Sequence, residues 1–201
     1  MSQYKGDLSG IKPPSESEVV PDFYYTKDYV KGPNIDIGDY TYGRPAIRYK
    51  VGDVKLKIGK FCSIAGSVQI FLGGDHRKDY VSTYPFCALK DIWPGAEGEC
   101  PAIGDDVEIG NDVWIGTQTI ILSGTKIEDG AIIGARSVVG GTVPAYSIFA
   151  GNTAREVGKR FDDETIKMLL DVKWWDWDIE KIKRNASILS SVDIKKIKDC
   201  K

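Results

Sequence analysis

A single histidine occurs in the 201 residues. A zinc centre built on three imidazoles is therefore excluded. The four cysteines, Cys62, Cys87, Cys100 and Cys200, form no CxxC pair and show no metal-ligand spacing. They read as free thiols, and no metal site is expected. No apolar run reaches the roughly 18 residues that a membrane-spanning helix needs, so no membrane insertion is expected. The opening stretch, MSQYKGDLSGIKPPSESEVVPDFYY, lacks the apolar core of a secretory signal, and a cytoplasmic location is expected. Neither sign of charge dominates, with Lys plus Arg at 27, Asp plus Glu at 29 and a net charge of −2. Nothing there suits a nucleic acid or an anionic membrane as partner.

What the chain does have is glycine, 22 of them, and a repeat. Residues 103–144 divide into sixes: IGDDVE, IGNDVW, IGTQTI, ILSGTK, IEDGAI, IGARSV and VGGTVP. The leading residue is Ile103, Ile109, Ile115, Ile121, Ile127, Ile133 and Val139, and glycine follows it in five of the seven units. The fifth residue is always small or β-branched: Val107, Val113, Thr119, Thr125, Ala131, Ser137 and Val143. Plain strand alternation does not demand glycine once in six. A six-residue unit is one short strand plus a corner, and three units close a triangular coil. Glycine suits such corners, where φ is positive or two backbones approach closely. The same phase appears earlier, at Ile37, Ile58, Ile64 and Ile70. Cys62 falls on a fifth position and reads as a core thiol.

The expected fold is mainly β: a parallel β-helix over residues 35–160, with excursions at about 43–55 and 73–101. Residues 1–34 read as an irregular arm and 161–201 as C-terminal helices. Asp162 or Asp163 can cap the first helix, and a second begins near Asp178. Trp174, Trp175 and Trp177 are expected to seal the helices onto the coil. The lone histidine, His76, sits at the root of the longer excursion, in GGDHRKDYVSTYPF. Insertions in repeat proteins gather on one face, often the binding face.

Several stretches together carry a family resemblance: KLKIGKFCSI (55–64), HRKDYVSTYPF (76–86), IGNDVWIG (109–116), AGNTA (150–154) and LLDVKWWDWDIEKI (169–182). The hexapeptides resemble those of the left-handed β-helix acyltransferases. The HRxD…STYPF and WWDW elements resemble the xenobiotic acetyltransferases, which include the type B chloramphenicol and streptogramin enzymes. The resemblance implies a left-handed coil, a homotrimer with active sites between subunits, and acetyl-CoA as co-substrate with no permanently bound cofactor.

Acetyl transfer to a hydroxyl needs a base, and an imidazole titrates near neutral pH. His76 is that candidate; the alternative is a histidine that only structures its loop. Asp79 matches the family's HRxD spacing and could orient the ring, or could cap the loop. The resemblance assigns Thr117, Ala135 and Gly140 to the pantetheine arm of acetyl-CoA. Arg155, Lys159 and Arg160 are cations suited to the CoA phosphates, or else a solvated basic patch. Antibiotic-modifying relatives carry an aromatic run where this chain reads YTYGRP (40–45). Tyr42 and Arg44 are then the acceptor candidates, and Arg44 favours a sugar or surface-glycan precursor. The alternatives are an antibiotic hydroxyl, an amine on an amino sugar, or a scaffold without activity.

Overall fold

The computed structural model describes residues 25–50, 52–98 and 104–200. The arm expected over 1–34 therefore lies mostly outside the described residues. Its described end forms the short helix α1 (Thr26–Tyr29).

Fourteen short strands follow. They are β1 (Ile35–Ile37), β2 (Ala46–Arg48), β3 (Leu56–Ile58), β4 (Ser63–Ile64), β5 (Gln69–Phe71), β6 (Val107–Ile109), β7 (Trp114–Ile115), β8 (Ile120–Ile121), β9 (Lys126–Ile127), β10 (Ile132–Ile133), β11 (Val138–Val139), β12 (Thr142–Val143), β13 (Ser147–Ala150) and β14 (Arg155–Lys159). They stack into three sheets, ordered β1-β3-β6-β9-β12, β4-β7-β10-β13-β14 and β2-β5-β8-β11. Every named pair is parallel except β13 with β14. Successive hexapeptides thus visit the three sheets in turn, which is a β-helix.

The leading residues form inward ladders. Ile58, Ile109 and Ile127 align in the first sheet, and Val143, a fifth residue in the sixes, takes the next rung because the last coil is two residues shorter. Ile64, Ile115 and Ile133 align in the second. Ile47, Ile70, Ile121 and Val139 align in the third. Most are fully buried, worth about 2 kcal/mol each in transfer terms. The fifth positions also point inward. Their hydroxyls are satisfied locally, as when Thr125 Oγ1 donates to the Leu122 carbonyl at 2.6 Å and Ser137 Oγ to the Gly134 carbonyl at 2.7 Å.

The two uses of glycine separate cleanly. In the regular coils positive φ falls on the fourth position, at Tyr40, Phe61, Ser67, Asp112, Gln118, Gly124, Gly130 and Arg136, and in the last coil on Gly141 and Tyr146. Glycine at the second position serves close approach instead. A Cβ on Gly59 would lie 2.5 Å from the Gly110 carbonyl oxygen.

The outer faces differ. The first sheet carries the cross-strand row Asp36, Lys57, Glu108, Lys126, alternating in sign. The second carries Ser63, Trp114, Ile132 and Ile148. The third carries Ala46, Gln69, Ile120 and Val138. Trp114 is 55% exposed. One face is ionic, and two are largely apolar.

The first excursion is shorter than the sequence implies, because β2 lies inside it and pairs with β5. Ala46-Ile47-Arg48 has the inward isoleucine but no following glycine, so it carried no repeat signal. The longer excursion leaves after Leu72 and returns at Gly104. These two ends touch: a Cβ on Gly104 would lie 1.8 Å from the Leu72 carbonyl oxygen.

Beyond β14 come α2 (Asp163–Val172), α3 (Ile179–Arg184) and α4 (Ala186–Leu189). Asp162, rather than Asp163, caps α2 by accepting from Thr165 N at 2.7 Å, and Asp178 caps α3 by accepting from Lys181 N at 2.9 Å. Ile166, Leu169 and Trp175 are buried beneath them with Tyr146. Trp174 packs on Phe61 of the coil, ring centroids 4.9 Å apart. Among the described residues no helix is long and apolar enough to cross a membrane.

Candidate active site

The excursion from Gly73 to Gly98 is held by a few local contacts. Gly74, at φ +101°, lets the chain pass over the Tyr49 ring; a Cβ would come to 3.0 Å from it. Beyond it the loop doubles back so that His76 Nδ1 lies 2.7 Å from the Thr83 carbonyl oxygen. A carbonyl only accepts, so Nδ1 carries the proton. In the neutral imidazole Nε2 then holds the lone pair. His76 is exposed, so that lone pair is available to a ligand. The ring lines a cavity of about 230 Å³ shared with Arg77, Tyr80, Ser82, Tyr84 and Cys87.

Asp79 does not orient the histidine. Its carboxylate is engaged by Arg77, with Nε donating to Oδ1 at 2.6 Å and Nη2 donating to Oδ2. The Arg77 guanidinium holds the Asp79 carboxyl down to about 2. The orienting group is the Thr83 backbone, which no side-chain pattern could have revealed.

Alongside lies a second concavity with an aromatic wall. Tyr84, Phe86 and Trp93 contact one another, with Phe86 5.3 Å from Trp93 at 79° and 4.7 Å from Tyr84 at 58°. Each is about two-fifths exposed. The sequence signal for this wall is the density of aromatic residues in YVSTYPFCALKDIW. Cys87, which borders both concavities, is disulfide-bonded. That corrects the expectation of four free thiols. Cys62 and Cys200 are free, and Cys100 lies outside the described residues. Cys62 is buried in the coil, and burial pushes its thiol up to about 12.

The donor candidates fall into two groups. Thr117 and Ala135 stack at the corner between the second and third sheets; Arg136 N donates to the Thr117 carbonyl at 2.8 Å, and Thr117 Oγ1 donates to the Gly66 carbonyl at 2.8 Å. Gly140 lies at the other border of the third sheet, over Leu122. All three are exposed, so a chain can lie along either edge.

The three cations do not converge. Arg160 Nη1 donates to Asp112 Oδ2 at 2.9 Å and to the Gly130 carbonyl at 2.7 Å, and its guanidinium lies over the Tyr146 ring. It is thereby tied into the coil, which leaves it less available to a phosphate than the other two cations. Burial raises the Asp112 carboxyl against the lowering pull of Arg160. Lys159 bonds Asp163 at 2.7 Å, an exposed pair. Arg155 opens β14 opposite Ala150, while Lys159 closes it opposite Ser147. Among the described residues Arg155 bonds its neighbour's carbonyl, Ala154, at 3.0 Å and forms no ion pair, and of the three it is the cation most available to an anion.

Tyr42 extends the outer row of the second sheet by bridging to Ser63. The Arg44 guanidinium lies 3.8 Å from the centroid of the Tyr29 ring. Gly43 between them is obligatory: φ is +116° and a Cβ would lie 2.1 Å from the Ile64 carbonyl oxygen. The glycine in YTYGRP thus answers a backbone contact, whatever the acceptor. Among the described residues no group of three or more His, Cys, Asp or Glu could hold a metal.

Comparison with known proteins supplies the context. The family "Bacterial transferase hexapeptide (six repeats)" matches residues 103–141. A probable macrolide acetyltransferase of Lysinibacillus sphaericus is 48% identical over 146 residues, 70% of this chain and 79% of the relative. A chloramphenicol acetyltransferase of Agrobacterium fabrum is 38% identical over 186 residues, 82% and 86%. A virginiamycin A acetyltransferase of Staphylococcus aureus is 40% identical over 190 residues, 87% and 85%. Among solved structures, a hexapeptide-repeat acetyltransferase of Vibrio cholerae complexed with acetyl coenzyme A matches 65% of this chain and 63% of its own, at 27% identity and a TM-score of 0.48.

Proposed function

The chain belongs to the xenobiotic acetyltransferases, a family of hexapeptide-repeat, left-handed β-helix acyltransferases, and from that premise we propose that it moves an acetyl group from acetyl-CoA to a hydroxyl on a partly apolar acceptor, with His76 as general base. The observation that carries this reading is the His76–Thr83 bond, which fixes the tautomer a base needs.

In the proposed step, Nε2 takes the acceptor's hydroxyl proton as the oxygen attacks the thioester carbonyl. The Nδ1 proton, held on the Thr83 carbonyl, keeps the ring in register and steadies the imidazolium. Collapse of the tetrahedral adduct breaks the carbon–sulfur bond. The imidazolium returns its proton to the departing CoA thiolate, giving the ester, CoA and the neutral histidine. Binding of the donor along the Thr117–Ala135 edge or the Gly140 edge, with Arg155 toward a phosphate, leaves Lys159 and Arg160 to their carboxylates. An acetyl-CoA donor implies work in the cytoplasm.

The acceptor reading moves with the aromatic wall. A glycan precursor was expected because Gly43, Arg44 and Pro45 replace an aromatic run and the Arg44 guanidinium suits a sugar; that guanidinium lies over the Tyr29 ring. Gly43 is explained by its backbone contact, and Tyr84, Phe86 and Trp93 supply apolar surface beside His76. Antibiotic-like acceptors, as named for the relatives, fit that surface better. A homotrimer fits the two apolar outer faces, since large exposed apolar surface calls for a partner.

The test is a turnover screen with acetyl-CoA against chloramphenicol, streptogramin A, a macrolide, free sugars and nucleotide sugars. Transfer to at least one antibiotic is expected. His76→Ala should lower it on the order of 10²- to 10⁴-fold while acetyl-CoA affinity holds. A variant that keeps half the wild-type rate overturns the base, and transfer confined to sugars overturns the acceptor.

A further inference from the structure

The second concavity differs in charge as well as shape from the one at His76. Its walls are Tyr84, Phe86 and Trp93, and its charged lining residues are Asp79 and Glu97. Asp79 is neutralised by Arg77, whereas Glu97 has no ion pair among the described residues. No lysine or arginine lines it. Phe86 and Trp93 meet nearly edge to face, which covers a face of one ring, while all three rings line the concavity and stay about two-fifths exposed. Ring faces are electronegative, and a carboxylate beside them adds to that field. Such a corner suits a cation with an apolar coat, because an alkylated ammonium loses little hydration on entering.

We propose that the corner formed by Tyr84, Phe86, Trp93 and Glu97 is an ammonium-binding subsite that selects acceptors carrying a protonated, alkylated amine. The inference rests on the reading of His76 as the base for a bound acceptor, and adds what holds the acceptor's far end. The two concavities share Tyr80, Ser82, Tyr84 and Cys87. One molecule can therefore present its hydroxyl to the imidazole and its amine to the corner. No proton is exchanged at the corner; the amine arrives protonated and leaves so. Specificity arises because a neutral isostere forfeits the attraction to rings and carboxylate while burying the same apolar area.

The experiment compares choline with 3,3-dimethylbutan-1-ol, its uncharged isostere, by ligand-observed NMR titration of the full chain. Choline should bind about three- to tenfold more tightly. That ratio should fall toward one in Trp93→Ala and shrink in Glu97→Gln, while Trp93→Phe retains part of it. Circular dichroism identifies a misfolded Trp93→Ala, in which case Glu97→Gln, which removes only charge, decides. In His76→Ala the ratio should be unchanged. Equal affinities for the two probes, or a choline preference indifferent to both Trp93 and Glu97, overturn the proposal. Acetyl transfer to neutral apolar alcohols without any ammonium preference removes the subsite and leaves the catalytic reading standing. A preserved preference with no transfer to any acceptor does the reverse.

Discussion

Asp79 and Thr83 show how one residue's chemistry depends on what already holds it. Asp79 is an acid within reach of the loop histidine in sequence, yet Arg77 has claimed both its oxygens. Its carboxyl is held down to about 2 against an ordinary 3.8. A depressed carboxyl contributes its pairing fully above the unfolded value and loses it only as pH falls toward the folded one. The Arg77–Asp79 pair is therefore constant across the neutral range, and no pH limb of activity above about 4 can originate there. Asp79→Asn should keep acetyl transfer within about twofold of wild type, with a pH profile superimposable on it between about pH 5 and 8. A displaced limb would return Asp79 to the histidine. Sequence made His76 visible, because it is the one imidazole and its flanking residues are distinctive. It could not make Thr83 visible, because the group that matters is a carbonyl, which every residue has. The engagement of Arg160 is hidden for a related reason: its partner, Asp112, lies 48 positions away and is adjacent only once the coil is wound.

Among the elements, the hexapeptide was legible where the isoleucine–glycine pair persisted and illegible where it lapsed. Ile109, Ile115 and Ile121 each announced a strand, and each is one. β2 was hidden because its inward Ile47 is followed by arginine. The reason glycine marks the strands is the crowding at the second position, not freedom of φ, and this gives a direct test. Gly59→Ala forces a Cβ to 2.5 Å from a carbonyl oxygen in the next coil. The strand must shift, at a cost on the order of 1–3 kcal/mol. Gly66→Ala, where a Cβ would meet nothing within 4 Å, should be nearly neutral. Urea unfolding of the pair reads the difference, and equal losses would mean that glycine acts through the unfolded chain instead.

For the molecule as a whole, the three outer faces divide the work of meeting solvent and meeting other copies. The row Asp36, Lys57, Glu108, Lys126 neutralises itself and needs no partner. Trp114 and Ile132 on the second sheet and Ile120 and Val138 on the third lack any such device. Trp114→Glu should convert the proposed trimer to monomers by light scattering at micromolar protein, whereas Lys57→Glu should leave it intact. A wild-type monomer, or a trimer indifferent to Trp114→Glu, would reject assembly through these faces. The departure of the chain at Leu72 and its return at Gly104 have a separate consequence. Because the two ends abut, what lies between them is a cassette: doubling its length would cost the coil only about 0.6 kcal/mol in closure entropy, since Gly104 already sits on the Leu72 carbonyl. The histidine, the aromatic wall and the disulfide cysteine all ride on that cassette, while Thr117, Ala135 and Gly140 stay with the coil. Substitutions confined to the cassette therefore reshape the surface around His76 while the winding beneath it keeps its own contacts.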